Sequence, residues 1–121
     1  MKVTELRLGN IIGLIYDPEK YGVIIALDQS GTVHISNREY PDEIRDVVGI
    51  AITPKLLARF GYESYIYFDG REIKLVFHGK RATVTIDDTT TYEIQFVHEL
   101  QNIVYFNTGQ ELIDTMEFLA Y

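Results

Sequence analysis

The chain contains no cysteine and no tryptophan. Without thiols it has no disulfide framework, no thiolate metal site and no cysteine nucleophile. Its core therefore falls to Ile, Leu, Val, nine Tyr and six Phe. Lysine and arginine are missing from the last third. Residues 82–121 carry seven acids and neither basic type, whereas residues 1–81 carry all 11 Lys and Arg against 11 acids. The formal charge of −7 thus belongs to the C-terminal third. Faces that bind duplexes neutralise phosphate with clustered Lys and Arg. The acidic third is therefore a poor nucleic-acid surface, although the neutral remainder leaves room for a small basic patch. Long hydrophobic runs are absent too. The stretches 11–16 and 21–27 are interrupted by Gly13 and Gly22, and both fall far short of the roughly 20 residues of a membrane helix. The first seven residues, with Glu5 already among them, lack the apolar core of a secretory signal. The expected setting is cytoplasmic, away from membranes.

What is present is the composition of a globular protein: 46% hydrophobic and 24% charged over 121 residues. That is enough apolar surface to offset chain entropy and a length suited to one domain. Two sub-lobes are expected within it. Residues 1–52 hold short β-branched runs at 11–16, 21–28, 32–36 and 47–52, separated by turn formers at 17–20 and 29–31. Such spacing fits a small SH3-like β-barrel or curled sheet. Residues 53–121 begin with a short helix, with Thr53 as N-cap, Pro54 at the first helical position and Gly61 after its end.

The segment 64–86 constrains itself most tightly. Two-residue turns at Asp69-Gly70 and Gly79-Lys80 pair Phe68 with Arg71, Ile66 with Ile73, Phe77 with Ala82, Leu75 with Val84 and Ile73 with Ile86. Both registers then place Ile66, Phe68, Ile73, Leu75, Phe77, Ala82, Val84 and Ile86 on one face. A one-residue slip in either turn destroys the agreement. A turn at 87–90 leads into a fourth strand carrying Tyr92, Ile94 and Phe96. The period then becomes helical, through Val97, Leu100, Ile103 and Val104 to Gly109, and residues 110–121 fit a further helix, the favoured reading, or a docked tail. The fold class is α+β: a small barrel-like sheet, a short helix, a four-stranded antiparallel meander and a helix on its apolar face.

Candidate chemistry is sparse. His98, Gln101, Asn102 and Tyr105 share one helical stripe. It reads either as a polar recognition face, with His98 able to move protons, or as side chains tying the helix to backbone groups. His34, His78 and His98 have no metal-ligand spacing, and His98-Glu99 only begins a zinc-protease motif. Asp87-Asp88 reads as a turn stabilised by local hydrogen bonds. Ser30, Ser36 and Ser64 lie at turns or strand ends without a nucleophile elbow. No metal, cofactor or catalytic residue is expected. The wet face of the meander, with Tyr65, Tyr67, Lys74, His78 and Arg81, is the one platform on which bases could stack beside positive charge. Glu72 dilutes it, and Tyr–Lys packing across strands explains it as well.

Three segments together resemble a known pattern: Glu5-Leu6-Arg7-Leu8-Gly9-Asn10, then Ile52-Thr53-Pro54-Lys55-Leu56-Leu57-Ala58-Arg59-Phe60-Gly61-Tyr62, then Val97-His98-Glu99-Leu100-Gln101-Asn102-Ile103-Val104-Tyr105-Phe106-Asn107-Thr108-Gly109-Gln110-Glu111-Leu112. It is similar to that of an uncharacterised small-protein family of gut anaerobic bacteria and their phages or mobile elements. The resemblance implies no activity, substrate or cofactor. It implies a setting, that of a small accessory protein of mobile DNA. Val104 and the length of the tail after Leu112 depart from the pattern. The expectation is a non-catalytic module that binds a protein partner near the last helix. The alternative is a nucleic-acid-associated β module.

Overall fold

A computed structural model describes residues 5–36, 38–68 and 70–112. The fold is α+β and divides after Ile50 into two compact units. The first unit contains β1 (Ile11–Leu14), β2 (Asp17–Leu27), β3 (Thr32–Ile35), β4 (Asp42–Glu43), a 3₁₀ turn at Ile44–Asp46 and β5 (Val47–Val48). These strands form one antiparallel sheet in the order β4-β3-β2-β1-β5. The order is open, so the expected barrel does not close among the described residues. Its end strands, β4 and β5, are only two residues long. The turn expected at 17–20 is displaced. Leu14 pairs with Asp17, Ile15 and Tyr16 make the turn, and residues 17–20 already belong to β2. Ile12, Leu14, Ile24, Val33, Ile35 and Val47 form the buried cluster of this unit.

The Gly9-Asn10 pair launches β1. Gly9 adopts φ of 91°, a region that side chains with a Cβ rarely enter. The Arg7 N–H donates to Asn10 Oδ1 at 2.6 Å, and the Asn10 N–H donates to the Arg7 carbonyl at 3.0 Å. Asn10 is wholly buried, where an amide must be hydrogen-bonded. Its backbone carbonyl accepts from the Ile24 N–H, and the Gly9 N–H donates to the Ile24 carbonyl. The first of the three resembling segments is thus a structural turn clipped to β2.

The second unit opens with α1 (Pro54–Arg59), capped as expected: Thr53 Oγ1 accepts from the Leu56 N–H at 3.1 Å. The meander follows as β6 (Tyr65–Phe68), β7 (Arg71–His78), β8 (Arg81–Ile86) and β9 (Thr90–Ile94), in that spatial order. All five cross-strand pairs expected from the sequence are formed. Ile66, Ile73, Leu75, Ala82, Val84 and Ile86 are each no more than 2% exposed, so one face is core and the other is open. α2 (Val97–Thr108) lies against β7 with Val97, Leu100 and Val104 buried. The Glu99 carboxylate accepts from the N–H groups of Gln95 and Phe96, which starts the helix at Val97. Phe96 is therefore a cap and not a strand residue, and Tyr92 on β9 is 42% exposed. Gly109 ends the helix in the left-handed region. The helix expected over 110–121 finds none at residues 110–112, and the remainder lies outside the described residues.

The three-residue β8–β9 loop, closed by the Ile86–Thr90 pair, places both Asp87 (φ 50°) and Asp88 (φ 58°) in the left-handed region, which Asp tolerates better than most residues that have a Cβ. Asp87 earns its place: it exchanges backbone bonds with Glu72 through its N–H and Oδ1 and pairs with Arg71 at 2.6 Å. Asp88 is exposed. Asp88→Gly is expected to raise stability by about 0.5–1 kcal/mol through relief of the left-handed strain. A rise in the urea midpoint would measure it, and a fall would show that Asp88 has a stabilising contact of its own.

Candidate functional site

The helical stripe is not presented as a unit. His98 is 2% exposed and Gln101 is 1% exposed. The His98 ring stacks on Phe96, with centroids 5.7 Å apart and planes 11° from parallel. At about 100° per residue, the five buried positions of α2 span an arc of about 160°, wider than its apolar residues alone would define. Asn102 is half-buried, and only Tyr105, one turn further along, reaches substantial exposure at 40%. The structure thus separates two enclosed polar residues from two accessible ones. Phe106, which the stripe did not include, is 75% exposed and meets Tyr105 edge to face at 6.1 Å.

The open face of the meander does assemble its expected residues. Tyr65 stands opposite Lys74, Tyr67 opposite Glu72, Val76 opposite Thr83 and His78 opposite Arg81. The Lys74 ammonium lies 5.8 Å from the Tyr65 ring centroid, a cation–π distance. Tyr67 donates its hydroxyl to Glu72 at 2.9 Å, which raises the phenol's pKa above its ordinary value. Across β7, β8 and β9, His78 Nε2 lies 2.7 Å from Thr83 Oγ1, and that hydroxyl donates to Glu93 Oε1 at 2.9 Å. His78 Nε2 is also 3.3 Å from Glu93. Glu93 was outside the expected set, yet alternation places it opposite Thr83 and makes it part of this face. Lys74 and Arg81 are thus matched in number by Glu72 and Glu93.

The first unit holds a polar cluster that the sequence reading did not single out. Arg38 donates to both oxygens of Asp42, each at 3.0 Å, and to the Tyr16 hydroxyl at 2.8 Å. Tyr16 in turn donates to Asp42 at 2.5 Å, and the Arg38 guanidinium lies over the Tyr16 ring. Asp42 is 8% exposed. Burial, the largest single influence, pushes its carboxyl up. The hydrogen bonds from Arg38 and Tyr16, with the charges of Arg38 and His34, outweigh burial and hold the carboxyl below its ordinary range. The hydrogen bond to Asp42 raises the Tyr16 phenol. Two open hollows lie on the same unit. One, of about 330 Å³, is lined by Ser30, Thr32, Glu43 and Arg45; the other, of about 230 Å³, by Asp28, Thr32, His34 and Pro41.

None of these arrangements sets a nucleophile beside an oriented base. His78 uses one nitrogen for both Thr83 and Glu93, whereas a triad needs the two ring nitrogens to face opposite partners. Among the described residues no three His, Asp or Glu side chains converge as a metal site would require, and no helix is long and apolar enough to cross a membrane. The chain matches no protein-family model, no curated protein and no solved structure.

Proposed function

We propose that the chain is a non-catalytic protein-binding module of phage or mobile-element origin, and that its contact surface is the open face of the four-stranded sheet. One observation carries this reading. Tyr67, Val76 and Tyr65, which are 61%, 53% and 45% exposed, lie together on that face. Exposed aromatic and aliphatic side chains within a charged rim are the composition of protein interfaces, where Tyr is enriched among the residues that carry affinity. The charges favour protein over nucleic acid as the partner. A single-strand platform needs an excess of cations beside its aromatics, and here Glu72 and Glu93 match Lys74 and Arg81. The mobile-element setting rests on the three-segment resemblance.

The test is a pull-down from host lysate with the tagged full chain, with and without nuclease, read by mass spectrometry. A stoichiometric, nuclease-resistant partner is expected. The double variant Tyr67→Thr, Val76→Thr keeps β-branched residues in the strands and should weaken that complex at least tenfold while circular dichroism stays native. Partners that vanish with nuclease would put a nucleic acid on this face instead. A partner retained by the variant would move the site elsewhere.

A further inference from the structure

The four-stranded sheet ends on β9, and the pairing fixes which way each backbone group there points. In antiparallel strands, opposite residues alternate between pairs that exchange both N–H···O bonds and pairs that exchange none. The Asp87 N–H donates to the Glu72 carbonyl, so the bonded pairs of β7 and β8 are Lys74 with Thr85, Val76 with Thr83, and His78 with Arg81. Ala82, Val84 and Ile86 then turn their backbone groups to β9 and bond Ile94, Tyr92 and Thr90. The N–H and C=O groups of Thr91 and Glu93 are left pointing away from the sheet. Gln95 keeps the same parity: its carbonyl accepts from Ile52 and its N–H donates to Glu99. No described residue meets the four groups of Thr91 and Glu93, and Thr90, Thr91, Tyr92 and Glu93 are all exposed. Edge strands are ordinarily guarded by Lys, Pro or a bulge. β9 has no Lys or Pro and pairs with β8 in unbroken register from Thr90 to Ile94. Tyr92 faces the core side and is still 42% exposed, since the packing of α2 centres on β7.

Donors and acceptors repeating every second residue are met by another extended backbone. A second copy of the chain fits poorly. A two-fold axis at Tyr92 would set Thr91 of one copy against Glu93 of the other, and would also bring Thr90 of one opposite Ile94 of the other. That place is taken. Ala51 bridges Phe96 in antiparallel sense and Thr53 is extended, so the chain's own Thr53 comes level with Ile94. An axis at Glu93 opposes two carboxylates, and one at Thr91 leaves Glu93 opposite Thr89 in the turn. Glu93 is the one charge on β9, and no Lys or Arg follows residue 81. Like charges across strands repel and opposite ones attract, so the edge favours a basic strand over an acidic one. We infer that β9 receives a further strand, an extended basic segment of a partner protein that runs antiparallel beside Thr91 and Glu93. Lys or Arg residues of that segment lie opposite Thr91 and Glu93 and exchange main-chain bonds with them. Its β-branched residues lie beside Tyr92. This edge is distinct from the open sheet face, and the inference stands without that reading.

The probe is a hexapeptide of alternating Lys and Val, capped at both ends and titrated into the ¹⁵N-labelled full chain, beside its Glu-Val counterpart. In the free chain the Thr91 and Glu93 amides should exchange with solvent fast, and those of Thr90 and Tyr92 slowly. Saturation with the Lys-Val peptide should slow Thr91 and Glu93 by about tenfold or more, and the Glu-Val peptide should not. N-methylation of the Lys residues removes the donors that meet β9 and should weaken binding about tenfold. N-methylation of the Val residues, whose N–H groups face away, should leave it intact. Thr91→Pro keeps the pairing with β8, because that N–H serves no bond in the sheet, and should abolish the protection at Glu93. Glu93→Lys, which does not touch the backbone, should transfer protection of Thr91 to the Glu-Val peptide. Four results would overturn the inference: slow exchange of Thr91 and Glu93 in the dilute free chain, no protection at millimolar peptide, equal protection by both peptides, or binding that does not distinguish the two methylated forms. Protection that appears without peptide as the chain is concentrated would also overturn it, by making the occupant a second copy.

Discussion

Replacing Gln101 or His98 by Ala is expected to lower stability by about 2–4 kcal/mol each, enough to move a urea midpoint visibly. Both side chains are essentially inaccessible, so truncation leaves a cavity and takes a polar group away from its surroundings. Phe106→Ala, on the exposed side of the same helix, should stay within about 0.5 kcal/mol. The contrast decides what the stripe is for. If Gln101→Ala and His98→Ala unfold the protein more easily while Phe106→Ala does not, the first two are there to fix the seating of α2 on its sheet. If neither shifts the midpoint, their burial is not structural, and the stripe returns as a recognition face uncovered by movement of the helix.

How far the sequence carries depends on how many independent constraints meet at a position. In the meander, two turns and one alternating pattern fix the same register, and Ile73 has to satisfy both of its neighbours. It pairs with Ile66 on one side and Ile86 on the other. α1 and α2 are similarly legible, because Thr53, Gly61 and Gly109 mark their ends in local chemistry. The first unit is harder to read. Asp17 and Pro18 look like a turn, but the chain reverses one step earlier, where Ile15 donates its N–H to the Asp46 carbonyl. That contact is 31 positions away and leaves no local trace. The candidate site divides in the same way. The residues of the sheet face follow from period two. The depth of His98 and Gln101 depends on how far α2 sinks into its neighbours, which helical spacing alone does not fix.

Asp42 illustrates the non-local case and carries the second large effect. Its carboxylate gathers Arg38 from four residues away and Tyr16 from 26. Asp42→Ala leaves a guanidinium and a phenol without their shared acceptor, and should cost about 2–3 kcal/mol. The figure lies toward the low end for a broken buried pair because the Arg38 side chain is 39% exposed and regains water. The pH dependence has a definite sign. Asp42 has its carboxyl held below the ordinary range in the folded chain, so its contribution is complete above the unfolded value of about 4. It is lost as pH falls through the folded value. Tyr16 is shifted upward, so its contribution is complete below about 10 and fades as pH rises through its folded value. Hydrogen exchange at the Val33 and Ile35 amides, read against pH, would separate the two limbs. Asp42→Asn should flatten the acid limb, and Tyr16→Phe the alkaline one. An acid limb unchanged in Asp42→Asn would mean that other carboxylates govern the loss, and the cluster would then contribute packing without electrostatic stabilisation.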